Sequence, residues 1–220
     1  MVSQPRKPFP LRVVHDSGER SAKRLDPVAS EAELIEGVIR GDERVAVELY
    51  HRLLPAIESS LLRVLGRRET DHEDLVQTSF EQLILTLSRQ RFAGACSLAT
   101  WASSIAAHVA LKSIRSRTRQ RRVFNHHVEP QEVSERQRSS DDVEGALVSR
   151  QRLEQVRLAL AELAPPKAEA VLLHDVLGHG LTEIAALTGS TVAAAQTRLS
   201  RGRRELAERL ERIGALEGES

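Results

Sequence analysis

Apolar residues recur three and four positions apart through most of the chain, the spacing that puts them on one face of an α-helix. Leu34, Ile35, Val38 and Ile39 mark the first such face. It opens at Ser30, which stands in capping-box relation to Glu33, and stops at Gly41. Asp42 can cap a second helix carrying Val45, Leu49, Leu53 and Leu54, expected to end at Pro55, and a third stretch from Ile57 to Leu65 stops at Gly66. These stretches predict a packed helical hairpin. The clearest amphipathic helix follows, with Leu75, Val76, Phe80, Leu83, Ile84 and Leu87 on one stripe and a strongly acidic first turn. After a loop at Phe92 to Cys96, Ser97 can cap a helix whose Leu98, Trp101, Ile105 and Val109 share a face.

Periodicity is lost from Val123 to about Asp142, where the composition turns polar and acidic, as expected of a linker. It returns with Leu147, Leu153, Val156, Leu160 and Leu163, breaks at Pro165-Pro166, and resumes with Val171, Leu172 and Val176 before Gly178. The segment from Leu181 to Leu210 reads as two helices joined at Gly189-Ser190. Residues 1–29 mix Pro, Arg, Lys, Ser and Asp without periodicity and are expected to form a flexible extension. The predicted architecture is all-α: helical domains over residues 30–122 and 143–212, a flexible linker over 123–142, and a short flexible tail over 213–220.

Composition supports this reading. The 220 residues include one Trp and one Tyr, whereas strands draw on aromatic and β-branched residues. A formal net charge of +1 conceals separate blocks of opposite sign, and blocks rather than averages create the local fields that choose partners. Cys96 is alone, so an intramolecular disulfide is impossible. No Cys/His spacing resembles a zinc site, and His126-His127 reads as solvated loop. The apolar run Ala102 to Leu111 is far shorter than the ~20 residues of a membrane span, and no secretory signal precedes it. A cytoplasmic location and no metal or cofactor are therefore expected. No arrangement of acid, base and nucleophile stands out, so an enzyme is not expected either.

Three blocks carry candidate chemistry. Glu183, Ile184 and Ala185, the turn at Gly189 and a longer second helix have the grammar of a helix-turn-helix. There Val192, Ala195, Leu199 and Leu206 can face inward while Gln196, Thr197, Arg198, Arg201, Arg203 and Arg204 stay available to DNA. A solvated basic helix in an ordinary bundle has the same pattern. The tail Lys112 to Arg122 places Lys112, Arg115, Arg117, Arg119, Arg121 and Arg122 together with no acid, a candidate phosphate-tracking surface. Trp101, just before it, suits core packing better than base contact. The acidic block Asp71-His72-Glu73-Asp74 stands at a helix start, where the macrodipole favours carboxylates. Capping accounts for one or two acids; with Gln77, the block also suits docking on a basic surface.

In their order along the chain, acidic block first and helix-turn-helix last, the blocks resemble the bacterial sigma factors of the sigma-70 family, in particular the small extracytoplasmic-function (ECF) group, which keeps only domains two and four. The resemblance is carried by Asp71 to Phe80, by Thr100-Trp101 with Ile105-Ala106, by the Arg-rich tail, and by Glu183-Ile184-Ala185 with Gly189 and Arg198-Leu199-Ser200-Arg201. It spans roughly Glu31 to Leu210.

The resemblance implies an alternative sigma factor that binds core RNA polymerase, directs initiation at particular promoters and is controlled by an anti-sigma factor. It places the largest-subunit clamp helices against Asp71, Glu73, Asp74, Gln77 and Phe80, and the flap region near the second domain. The melted −10 element falls to Trp101, His108, Lys112, Arg115, Arg119 and Arg122. The −35 duplex falls to Gln196, Thr197, Arg198, Arg201 and Arg204. Four replacements set this chain apart in the recognition segment: Ser190, Ala194, Ala195 and Gln196 stand where the family commonly has Ile, Thr, Val and Lys. Lys112 and His108 likewise replace Asp and Asn. Small Ala195 and polar Ser190 are expected to loosen the second domain. Two other classes use the same residues: a helix-turn-helix regulator that never joins polymerase, and a sigma-like adaptor without promoter specificity.

Overall fold

The computed structural model describes the backbone of residues 30–125 and 141–218, and the side chains of 30–121 and 150–213. The expected N-terminal extension and most of the expected linker, with His126-His127, lie outside the described residues. Among the described residues, eight α-helices and one π-helical turn account for the regular structure, and there is no strand. The helices are α1 (Glu31–Arg40), α2 (Glu43–Leu65), α3 (His72–Ser88), α4 (Leu98–Asn125), α5 (Asp141–Glu162), α6 (Pro165–Val171), α7 (Leu181–Leu187) and α8 (Val192–Gly218).

The local punctuation works as its chemistry dictates. Ser30 and Glu33 exchange the two hydrogen bonds of a capping box, and Asp42 accepts from Arg44 N and Val45 N at 3.0 and 3.4 Å. Gly41 and Gly66 end α1 and α2 in the left-handed region. Thr100 N donates to Ser97 Oγ at 3.1 Å at the start of α4. Pro165 takes the first position of α6, where its missing N–H costs nothing.

Pro55 does not end a helix: α2 runs unbroken through it. Its ring is exposed, so the carbonyl it leaves unpaired, that of exposed His51, lies on the watered side. Leu49, Leu53, Ile57 and Leu61 meanwhile hold the opposite face in the core. Burying four such side chains, each contributing about 1.5–3 kcal/mol, outweighs the roughly 3 kcal/mol cost of an interior proline. A second departure is α8, which continues to Gly218 rather than stopping at residue 212, through the good helix formers Ala215, Leu216 and Glu217.

α2 is the central element and pairs most extensively with α4. Ala102, Ala106 and Ala110 form a fully buried stripe of small residues at i, i+4 and i+8, which lets the α4 backbone come close. Leu83 and Leu87 of α3 close the other side. The apolar core continues into the second half of the chain through Leu160, Leu163, Ala168, Val171 and Leu199. A smaller cluster of Leu173, Ile184, Ala185 and Ala195 holds α7 against α8. No described helix is long and apolar enough to cross a membrane.

Candidate functional site

The outer face of α3 is a polar stripe. Glu73, Asp74 and Gln77 are exposed, Gln77 Nε2 donates to Glu81 Oε1 at 3.0 Å, and Leu85, 47 % exposed, continues the row one turn further. Glu73 and Asp74 occupy the first turn, where the helix dipole favours them. Asp71 is the N-cap by position yet makes no side-chain capping bond. Its carboxylate accepts from Arg117 Nη2 of α4 at 2.5 Å, and Glu69 stands 3.4 Å from Nη1 of the same guanidinium. Capping therefore does not explain the acidic block: Asp71 ties α3 to α4, while Glu73, Asp74 and Gln77 face outward.

Two residues of this block point inward. Phe80 is 3 % exposed and stacks on Tyr50 at 4.4 Å between ring centroids, so it supports the stripe from behind instead of lying on it. His72 is likewise buried, with Glu58 3.9 Å from its Nε2.

The loop from Arg89 to Ser97 leads into α4 with exposed Ala93, Gly94 and Ala95 at its tip. Both carboxylate oxygens of Glu31 accept from Leu98 N at 3.1 Å, so α1 caps the start of α4 from outside and fixes the loop's exit. Trp101 is half-buried and packs on Phe92 at 4.5 Å, with the rings tilted by 40°. The pair is a partly exposed aromatic ledge beside the loop.

Along α4 the basic residues divide. Lys112 and Arg119 are exposed, whereas Arg115 donates from Nε to Ala161 O at 3.1 Å and from Nη2 to Leu163 O at 2.9 Å. Desolvation, followed by the field of Arg119, pushes the Arg115 pKa down. Arg121 pairs with Glu154 at 2.9 Å, and His108 Nδ1 lies 3.4 Å from Glu169 Oε1 of α6. Glu169 is pushed above the ordinary carboxylate range by burial, only partly offset by His108 and Arg198. The side chain of Arg122 lies outside the described residues. Arg157 of α5 answers Arg115 from the other side: it is buried and donates from Nε to Val64 O at 3.2 Å, near the end of α2. Around these groups lies a cleft of about 300 Å3 lined by Arg67, Glu69, Asp71, Arg117, Arg121 and Glu154 among others.

The helix-turn-helix forms as its sequence predicts. Gly189 takes a positive φ of 59° in the turn, and buried Ala185 and Ala195 meet across the two helices. Ser190 is held by its backbone N–H on Ala185 O at 2.9 Å and by its hydroxyl against Thr188 Oγ1 at 2.8 Å. Ala195 is fully buried and Ser190 has partners for both its N–H and its hydroxyl, contacts that work against the looseness expected at these two replacements. Gln196, Thr197, Arg201 and Arg204 are exposed and Arg198 is half-buried. Arg204 leans toward Glu208 at 3.8 Å. Val192 does not face inward as its spacing suggests; it is 44 % exposed at the head of α8.

Arg203 is not free for DNA. It donates from Nε to Asp175 Oδ2 at 3.0 Å and from Nη2 to Asp175 Oδ1, with the His174 ring also in contact. Asp175 belongs to the π-helical turn Leu172–Val176, which nothing in the apolar spacing announces. The Arg203 guanidinium, followed by His174, holds the Asp175 carboxyl below its ordinary value of 3.8. A carboxyl so depressed stabilises the fold fully above 3.8 and ceases to do so as the pH falls through the lowered value. Asp175→Asn is accordingly expected to melt earlier than the parent at about pH 7, with the gap narrowing progressively once the pH falls below about 3.8. Thermal melts of both proteins across that range check it; a gap of constant size would rule out this ion pair as the cause.

Sequence spacing missed Glu31, Arg157 and Asp175, whose partners are distant in the chain. Gly202 left a signal: it continues the inward row of Ala195, Leu199 and Leu206.

Residues 49–120 match the family model "Sigma-70 region 2" and residues 153–206 match "Sigma-70, region 4". RNA polymerase sigma factor CarQ of Myxococcus xanthus is 33 % identical over 163 residues, covering 74 % of this chain and 87 % of the relative. Among solved structures, CnrH in complex with the cytosolic domain of CnrY is 21 % identical over 81 % of this chain and 95 % of that one, with a TM-score of 0.45. The sigma factor RpoE with the anti-sigma factor NepR from Bartonella quintana gives 23 % identity over 72 % and 92 %, with a TM-score of 0.40. With regions 2 and 4 both matched in order and a relative covered over most of its length, the chain belongs to the sigma-70 family of RNA polymerase sigma factors.

Proposed function

We propose that this chain acts without catalysis of its own, in the cytoplasm, as an alternative sigma factor whose α3 face docks on the clamp helices of core polymerase. The observation that carries the reading is the outward row of Glu73, Asp74 and Gln77 on a helix whose other face is fully occupied by the core. Exposed acids held on a rigid helix steer and orient a basic partner more than they stabilise their own fold. Asp71 and Phe80 serve this surface indirectly, one by fixing α3 to α4 and the other by packing beneath it.

The −10 strand is assigned to the loop before α4 and to the ledge of Phe92 and Trp101, where an unpaired base can stack. Lys112, Arg119 and Arg122 supply phosphate contacts there. His108 and Arg115 belong to the same face but are engaged by Glu169 and by two backbone carbonyls of the second domain. The −35 duplex is assigned to α8 through Gln196, Thr197, Arg198, Arg201 and Arg204, with the flap region of polymerase beneath the second domain. An anti-sigma factor is the proposed regulator, as the family resemblance implies.

Run-off transcription with sigma-free core polymerase, on promoters from the protein's own upstream region, tests the reading. Discrete transcripts that require the added chain are expected. A folded chain that neither binds core polymerase nor yields a transcript would leave a helix-turn-helix regulator as the better description.

A further inference from the structure

The head of α8 carries information about which bases it reads, given that it enters a duplex as proposed above. Its exposed surface over the first two turns is Val192, Ala193, Gln196, Thr197 and Ser200, against a buried side of Ala195 and Leu199. From Thr191 through Thr197 there is no charged residue. Guanine in the major groove is read by a bidentate arginine or lysine on its O6 and N7. Of the arginines that follow the head, Arg198 is half-buried and Arg203 is held by Asp175. Arg201 and Arg204 are exposed, but they lie one turn or more beyond Thr197, where their charge suits phosphate.

What remains at the head is neutral. Gln196 is exposed and makes no hydrogen bond to the described residues, so its amide offers a donor and an acceptor together, the pair that matches adenine N6 and N7. The Thr197 hydroxyl already donates to Ala193 O at 2.9 Å. Val192 lies one turn before Gln196 on the same edge of the helix, and at 44 % exposure it is a large apolar side chain with no place in the core. An apolar side chain beside a base edge fits the thymine C5-methyl.

We infer that Gln196 selects an adenine and Val192 packs on the methyl of a neighbouring thymine, so that an A·T step sets the register of the upstream promoter contact. Recognition there is neutral, and the arginines beyond it contribute affinity without choosing a base.

The test uses holoenzyme assembled from full-length chain and core polymerase. A promoter that it transcribes is randomised across the upstream element, and retained duplexes are sequenced. The parent is expected to enrich A·T pairs at two nearby positions. Gln196→Arg should convert the adenine position to guanine by roughly tenfold, and Gln196→Ala should flatten that position alone. Val192→Ser should weaken the thymine preference and leave the adenine in place. Both side chains are exposed, so circular dichroism and melting should match the parent. A guanine enriched by the parent at the position that responds to Gln196→Arg overturns the inference, as does an even loss of retention across all sequences. Retention of no duplex at all, with no transcript, would instead bring down the sigma reading and this inference with it.

Discussion

Asp74→Arg combined with Gln77→Arg is expected to weaken binding to core polymerase by about a hundredfold, close to 3 kcal/mol, because like charges brought together at an interface cost several kcal/mol. The same pair should barely disturb folding. Both positions are exposed; the double variant gives up one favourable dipole contact, worth about 0.3–1 kcal/mol, and the surface bond from Gln77 to Glu81. Melting should therefore fall by no more than a few degrees, roughly 2–4 °C per kcal/mol for a chain of this size. Asp71 is a poorer choice, since its loss also frees Arg117 and loosens α3 from α4. Equilibrium binding to sigma-free core polymerase, with run-off transcription alongside, gives the answer. If affinity is unchanged, the polymerase surface lies elsewhere on the chain.

Gly202→Val is expected to destabilise the second domain by about 2–3 kcal/mol. A Cβ at this position would stand 2.8 Å from Val171 Cγ2 and 3.0 Å from Lys167 O. Val171 can yield only by rotating in a packed core, and the Lys167 carbonyl is backbone in α6. Replacing glycine within a helix normally gains up to ~1 kcal/mol in propensity, but the smaller gain for valine is outweighed by the overpacking. The expected loss in melting temperature is roughly 5–10 °C. A protein that melts as the parent does would mean that α6 and α8 have slack between them.

The helix boundaries were legible wherever a residue acts on its near neighbours. Ser30 with Glu33, Asp42, Ser97 and Gly189 each need only the next few residues, and each works as spacing predicts. Pro55 was misleading because the local rule omits the core that holds both sides of the helix together. The π-helical turn was invisible for a related reason: its Asp175 is fixed by Arg203, 28 residues away. In the candidate site, the type and order of the charged blocks could be read, but their sorting could not. Which cation faces water depends on partners such as Asp71 for Arg117, 46 residues distant, or Leu163 O for Arg115, 48 residues distant. Val192 shows the opposite failure, since its spacing fits the inward row while the head of α8 projects past the core.

Two of the arginines that cross between the halves of the chain, Arg115 and Arg157, form an exchange. Arg115 supplies donors to carbonyls near the end of α5, and Arg157 supplies one near the end of α2, so each half completes the other's unfinished helix terminus. If Arg115 serves the −10 strand as proposed, a DNA phosphate drawn to it would have to displace two backbone carbonyls, which would then need water in return. Stray polyanions meet that barrier as well. On the assignment proposed above, a lone phosphate would have to break both bonds for one contact, whereas a ligand that also occupied α8 and the aromatic ledge would have further contacts to set against that cost.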